Sequence, residues 1–273
     1  MFSRGAPAGE GMERLTGRPA ARRRIPSRVS GVLGSSDPAK TARRLRLMWW
    51  YGLRDFKLKL GLGADVDDEN LRLVTRRLAK AIRRGRASLR VDVNGGWSGD
   101  ETPGRSEELK AQGVCAVEQP VFCPAGELAD LARRCKLPLI ADESLRAPAD
   151  AEMLLPAGES VWWNIRLSKN GGFAPAVALA RMAEAGGVPF VLGCMVGESS
   201  ILSAAQRAML QWGPAPRFVE GNYGRLLLGD DLTRRSLRFG YAGRLRPLRR
   251  GEATVDVDPG KLACYGQLVT SLR

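Results

Sequence analysis

Three acidic residues each follow a short apolar run, in the segments LRVD, AVE and LIAD. They are Asp92, Glu118 and Asp142. Buried acids are rare unless they have partners, so three acids placed in this way indicate a shared purpose. Carboxylate oxygens suit a hard divalent cation such as Mg²⁺, with Mn²⁺ as the alternative. The sequence therefore predicts a metal site, whereas each acid taken alone would be a helix cap or a surface residue.

Two lysines in the segment FKLKLG lie two positions apart. In a strand this spacing puts Lys57 and Lys59 on one face, and Leu58 and Leu60 on the other. Inward-facing lysines are costly to bury unless they have partners or a task. A neighbouring cation and a metal would favour the neutral form of Lys59, which is the form that a general base needs. We therefore expect Lys59 to be a base.

The elements that must position these residues alternate regularly from about Ser27 onward. Strand-like runs, from RVSGVLGS to RFVEGNY, are separated by helical segments, and the count is eight strands with seven helices between them. This alternation predicts a parallel α/β architecture. Eight units favour closure into a (β/α)7β barrel, and a doubly wound open sheet is the alternative.

Side chains with chemical roles gather at the carboxyl ends of the strands in a β/α barrel. The three acids would end strands three, four and five, with Lys59 at the end of strand two and Lys169 after strand six. Four strands are half of such a barrel, so Lys59 and Lys169 would face each other across the acids. We expect one lysine to remove the proton next to a carboxylate, while the metal takes up charge. The other would return a proton to the opposite face or stabilise the intermediate.

Composition excludes several other classes of protein. The sequence has no histidine, which excludes Ser-His-Asp and Cys-His catalysis. Its five cysteines show no CxxC spacing, so neither a zinc ribbon nor a disulfide framework is expected. No apolar run is long enough to cross a bilayer, and the first residues lack the apolar region of a signal peptide. A cytoplasmic location is expected.

The formal net charge of +14 raises the question of a nucleic-acid partner. The basic residues are spread over predicted helices and tails, which is typical of solvated faces rather than of a binding stripe. We therefore expect a small-molecule carboxylate as the partner, and neither nucleic acid nor a membrane. A homo-oligomer stays open, because a barrel without a lid would expose apolar surface.

Five strings in this order, FKLKLG, VDVNGGW, VEQP, ADES and NIRLSKNGG, resemble the enolase superfamily and specifically its muconate-lactonizing-enzyme subgroup. The resemblance covers most of the chain, from about Ser27. It implies a modified TIM barrel that lacks an eighth helix, as the alternation also indicates. Members normally begin with a capping α+β domain, which we do not find complete in this sequence. We expect a basic, disordered leader over residues 1–26, the barrel over 27–225, and over 226–273 a tail that packs on the barrel or is a cap remnant.

The resemblance also implies roles for individual residues. Lys59 is the base of the KxK motif with Lys57 as its helper, and Lys169 of the SKxGG motif is the opposed base. The implied metal ligands are Asp92, Glu118 and Asp142. Weaker contacts with the substrate are expected, from these motifs and from the loops after the strands, at Asn94, Trp97, Arg166 and Glu198.

Two further departures from the family pattern concern the substrate. Arg166 stands where many relatives have lysine, which keeps the charge but changes its shape. The segment EGNYGRLLL lacks the DxD pattern that dipeptide epimerases usually carry after strand eight, so a dipeptide substrate is less favoured.

The function predicted from the sequence is a Mg²⁺-dependent isomerase, either a racemase or an epimerase. A cycloisomerase, or a lyase such as an o-succinylbenzoate-synthase-like dehydratase, would use the same residues. A catalytically impaired barrel remnant that serves as a binding module is the alternative of another class. A nucleic-acid binder is the third hypothesis.

Overall fold

Eight parallel strands form a single sheet in which every strand pairs with its neighbours in sequence order. The structure is a computed structural model that describes residues 28–248 and 255–266. A parallel bridge joins Val29 to Val219, and the Ser30 N–H donates to the Val219 carbonyl over 2.8 Å. The last strand is thereby tied to the chain just before the first, and the sheet closes into a barrel. The strands are β1 (Gly31–Leu33), β2 (Asp55–Lys59), β3 (Ser88–Asp92), β4 (Ala116–Glu118), β5 (Leu139–Ala141), β6 (Val161–Ile165), β7 (Phe190–Leu192) and β8 (Phe218–Val219).

Seven helices connect the eight strands. Asp37 caps the first of them by accepting from the Ala39 N–H over 2.9 Å, and Pro38 fills the first helical position. The connecting helices are α1 (Pro38–Trp50), α2 (Ala64–Arg83), α3 (Thr102–Ala111), α4 (Ala125–Arg134), α5 (Pro148–Leu154), α6 (Phe173–Ala185) and α7 (Ser200–Trp212). After β8 the described chain contains the four-residue helix α8 (Gly224–Leu227) and α9 (Pro259–Tyr265).

Alternation along the strands separates two apolar layers. Leu58, Val91 and Trp163 are fully buried in the layer between strands and helices. Ile140 and Trp162 point to the opposite face of the strands, into the barrel interior. They belong to a second cluster, to which β4, β5, β6 and β7 all contribute. Such a filled interior makes the barrel a packed core rather than a pore, so chemistry is confined to its ends.

The predicted fold class is confirmed, including the seven connecting helices and the absence of a full helix directly after β8 in the described chain. The predicted leader over residues 1–26 lies outside the described residues. Part of the tail packs on α7, where Leu237 and Leu248 contact Ala204 and Ala208. Within the described residues of the tail, an antiparallel bridge joins Thr233 to Val257. Among the described helices, none is long and apolar enough to span a membrane.

Candidate active site

Three charged residues stand at one level of three neighbouring strands, at the carboxyl end of the barrel, which we call the mouth. Strand pairing sets Lys59 beside Asp92, and Asp92 beside Glu118. Asp142 directly follows β5, two residues beyond Ile140, which pairs with Glu118. Strand register alone therefore brings the predicted base and the three predicted metal ligands to the mouth.

Lys57 is the centre of a buried ion network below this level. Its Nζ lies 3.1 Å from both carboxylate oxygens of Glu118 and 2.8 Å from Oε2 of Glu220. Asp92 Oδ2 is 3.4 Å from the same nitrogen. Burial alone lowers the pKa of Lys57, but the three carboxylates outweigh burial and hold this pKa above its usual range. Lys57 therefore stays protonated, which suits a helper and not a base.

Lys59 is the accessible lysine of the pair. Its side chain is 42% exposed, against 3% for Lys57. Its Nζ lies 3.9 Å from Asp92 Oδ2, so the amine stands next to a predicted metal ligand. A substrate entering the mouth can reach this nitrogen, whereas Lys57 is shielded below it.

Lys169 is held firmly on the other side of the mouth. Its Nζ donates to Asp142 Oδ1 over 2.9 Å, to the Asp142 carbonyl over 2.6 Å and to the Asn164 carbonyl over 2.8 Å. An ammonium has three N–H donors, so these acceptors occupy all of them. Burial lowers the pKa of Lys169 despite the neighbouring Asp142. The neutral amine is thus favoured relative to an exposed lysine, but no N–H direction is left for a substrate while all three bonds are made.

Arg166 occupies the centre of the mouth. It follows β6, two residues after Asn164, so both side chains point into the barrel. Its Nη2 forms an ion pair with Asp142 Oδ2 and lies 3.4 Å from Glu118 Oε1. Burial alone lowers the pKa of Arg166, but Asp142 and the other carboxylates outweigh it and raise this pKa. Arg166 was predicted to contact the substrate, whereas here it contacts two of the predicted metal ligands.

The three acids can be tested as ligands of a divalent cation. Asp92 Oδ2 is buried and accepts no hydrogen bond, although buried carboxylate oxygens normally do. The donor set is entirely oxygen, as Mg²⁺ and Mn²⁺ prefer. Within the described residues, however, no three Asp, Glu or Cys side chains lie close enough to hold one ion. The donor chemistry fits the cation, and Lys57 and Arg166 now stand between the carboxylates that would bind it.

The weaker predicted contacts lie around the rim. Asn94 is exposed, with a left-handed φ of 49°, and its N–H donates to Asp92 Oδ1 over 3.3 Å. Trp97 packs against the core with Arg105 over its ring. Glu198 accepts from the Met195 N–H over 2.7 Å and thereby folds the loop after β7. Their contacts with a substrate stay predictions.

Glu220 and Arg90 are site residues that the sequence reasoning missed. Glu220 directly follows β8, and its Oε1 is 3.1 Å from Arg90 Nη1. Burial raises the pKa of Glu220, but Lys57 and Arg90 outweigh burial and lower it. The sequence contained a signal for both residues. Glu220 directly follows a strand, as Asp142 does, and Arg90 lies two residues before Asp92 in β3.

The fold is a (β/α)7β barrel with acids at or directly after the ends of β3, β4 and β5. One lysine ends β2, and a second lies in the turn after β6. This combination of fold and charged residues defines one class of β/α-barrel proteins. Residues 40–249 match the family described as Enolase C-terminal domain-like. The chain belongs to this family.

Individual relatives point to isomerases. The chain is 32% identical to an N-succinyl-L-Arg/Lys racemase from Bacillus cereus over 65% of its length and 47% of the relative's. It is 33% identical to an L-Lys-D/L-Arg epimerase from Methylococcus capsulatus over 81% of its length and 61% of the relative's. A muconate lactonizing enzyme from Klebsiella pneumoniae superposes with a TM-score of 0.76 at 29% identity, covering 88% of this chain and 66% of that one. The chain thus spans about half the length of these curated relatives.

Proposed function

We propose that this protein is an isomerase that removes the proton next to a carboxylate and returns it, most simply as a racemase or epimerase. The observation that carries the proposal is the position of Lys59, an accessible amine in strand register with Asp92 and Glu118. The names of two relatives, a racemase and an epimerase, support the reaction type.

The proposed reaction needs two proton carriers on opposite sides of one carbon. Lys59, as the neutral amine, takes the α-proton, and the electron pair of the C–H bond is delocalised into the carboxylate. Lys169, as the ammonium, then donates a proton to the opposite face of that carbon. The two lysines thereby exchange protonation states, and proton transfer to and from water restores them.

Lys57 and the three acids would support the two proton carriers. Lys57 remains an ammonium and favours the carboxylate forms of Glu118 and Glu220. Burial outweighs Lys57 at Glu118 and raises the pKa of that carboxyl to about 7, whereas the pKa of Glu220 is lowered. We propose that Asp92, Glu118 and Asp142 would hold Mg²⁺ or Mn²⁺, which when bound would polarise the substrate carboxylate and offset its developing charge. Release of the Asp142 Oδ1 bond would free one N–H direction of Lys169 for the substrate.

The proposed substrate is a small carboxylate with an acidic α-proton, such as an N-acylated amino acid. The racemase among the relatives is named for N-succinyl amino acids, whereas the epimerase is named for a dipeptide. A cycloisomerase is the second candidate, because a muconate lactonizing enzyme superposes on this chain with a TM-score of 0.76.

Exchange of the α-proton in D₂O tests the proposal. The protein is incubated with Mg²⁺ and with each enantiomer of N-succinyl amino acids and of dipeptides, and deuterium uptake is followed by NMR. Lys59→Ala and Lys169→Ala should each abolish exchange for the enantiomer whose proton that lysine takes. Lys110→Ala, an exposed lysine on α3, is the matched control and should leave exchange unchanged.

Two outcomes would contradict the proposal. If both lysine variants exchange like the parent, the two-base assignment is wrong. If the parent catalyses no exchange but converts muconate to its lactone, the cycloisomerase replaces the racemase.

A further inference from the structure

We propose that Arg166 is a built-in competitor of the divalent cation, which enters only when this side chain leaves the gap between Glu118 and Asp142. The inference rests on the proposed metal site and adds a control on its occupancy. It starts from the position of Arg166 at the end of β6, where its side chain is only 14% exposed.

The guanidinium bridges two predicted ligands. Its Nη2 pairs with Asp142 Oδ2 and lies 3.4 Å from Glu118 Oε1, which also accepts from Asn164 Nδ2 over 2.8 Å. Lys57 bridges Glu118 and Asp92 in the same manner on the other side. Each gap between neighbouring carboxylates thus contains a side-chain cation.

The charges of the buried side chains at and below the mouth already balance, and the accessible Lys59, whose Nζ lies 3.9 Å from Asp92 Oδ2, stands outside this buried set. Four carboxylates face four cations, and all eight side chains are buried or nearly so. A divalent cation added to this set leaves an excess of two positive charges in a region of low dielectric. Removal of one cation side chain should therefore strengthen binding of the divalent cation. The four carboxylates are Asp92, Glu118, Asp142 and Glu220, and the four cations are Lys57, Arg90, Arg166 and Lys169.

Arginine can yield this position only by moving. Its guanidinium keeps its charge at any pH that a folded protein tolerates, so deprotonation cannot relieve the repulsion. Arg166 Nη1 already lies 3.3 Å from Met195 Sδ, on a residue that is 48% exposed in the loop after β7. Rotation toward this loop would carry the charge out of the gap and into solvent.

Titration of the apo protein with Mn²⁺, followed by the EPR signal of free Mn²⁺, tests the inference. Arg166→Met should bind Mn²⁺ about tenfold or more tightly than the parent, because one nearby positive charge is removed. Arg166→Lys keeps the charge as a compact point and should bind with intermediate affinity. Arg146→Met, an exposed arginine after β5, is the matched control and should bind like the parent.

The affinities of the variants for Mn²⁺ distinguish a wrong role for Arg166 from a wrong metal site. Equal or weaker binding by Arg166→Met, with a melting curve like that of the parent, overturns the role of Arg166 and leaves the metal site intact. An absence of Mn²⁺ binding in all variants overturns the metal site of the proposed function as well. If Arg166→Met does not fold, Arg166→Lys decides alone: binding tighter than the parent supports the inference, and binding equal to or weaker than the parent overturns it.

Discussion

The Nζ of Lys57 lies 2.8 Å from Oε2 of Glu220, so a residue that directly follows β8 stabilises the charge of a residue in β2. The two strands are separated by β1 in the barrel wall, and the bridge between Val29 and Val219 closes that wall. Both side chains are 3% exposed. Closure of the barrel therefore also completes the ion network beneath the proposed base.

Removal of the Glu220 charge should destabilise the fold markedly. Glu220→Gln leaves Lys57 and Arg90 without one of their buried counter-charges, which we expect to lower the free energy of unfolding by about 3–5 kcal/mol. Equilibrium unfolding in urea measures this change in the free energy of unfolding. Glu69→Gln, which breaks the exposed pair with Arg72, is the matched control and should cost less than about 1 kcal/mol. Similar costs for the two variants would show that the buried network contributes little.

Asp92 should be essential for binding of the divalent cation. Its Oδ2 is a buried ligand oxygen that accepts no hydrogen bond and has only the looser ion pairs with Lys57 and Lys59, so Asp92→Asn removes a carboxylate charge from the proposed ion site. We expect Mn²⁺ binding, measured by EPR, to be lost in this variant. Asp100→Asn, an exposed acid after β3, should bind as the parent does. Undiminished binding by Asp92→Asn would exclude Asp92 as a ligand.

Arg207 should hold the C-terminal tail against α7. Its guanidinium donates to the carbonyls of Arg238 and Arg246 over 2.9 and 3.1 Å. Arg207→Ala removes these charged hydrogen bonds, each of which contributes about 1.5–3 kcal/mol. We expect faster cleavage by trypsin after Arg234 or Arg238 than in the parent. Arg76→Ala, an exposed arginine on α2, serves as the control, and equal cleavage rates in both variants would refute the anchoring role.

Cys194 and Cys264 should react with a thiol reagent at different pH values. Burial and the nearby Glu220 raise the pKa of Cys194 to about 12, so its reactive thiolate is scarce at neutral pH. Cys264 is exposed and should react first with a disulfide reagent at pH 8. Cys194 should become reactive only as the pH rises toward its pKa. Peptide mapping of the labelled protein identifies the order, and early labelling of the half-buried Cys194 would contradict its raised pKa.

The part of the site that the sequence predicts is the part that strand alternation determines. Lys59, Asp92 and Glu118 end consecutive strands, and period-two alternation together with parallel pairing brings them to one level. Helix bounds follow equally local signals, as at Pro38, where a cap and a proline begin α1.

The remaining features depend on side-chain contacts between distant segments. Glu220 reaches Lys57 only because the barrel closes, and no local pattern reports that contact. The three hydrogen bonds of Lys169 depend on the turn that places it over Asp142 and Asn164. Likewise, the charge of Arg166 is evident in the sequence, but its position between two acids is not.

The closing bridge has a practical consequence for handling the protein. Arg28 pairs with Arg244 and Val29 with Val219, so the chain enters the wall at the amino ends of the strands. Arg28, the first residue that the structure describes, therefore lies on the side facing away from substrate entry. By contrast, an insertion at Gly61, just past β2, would sit beside Lys59 and obstruct it.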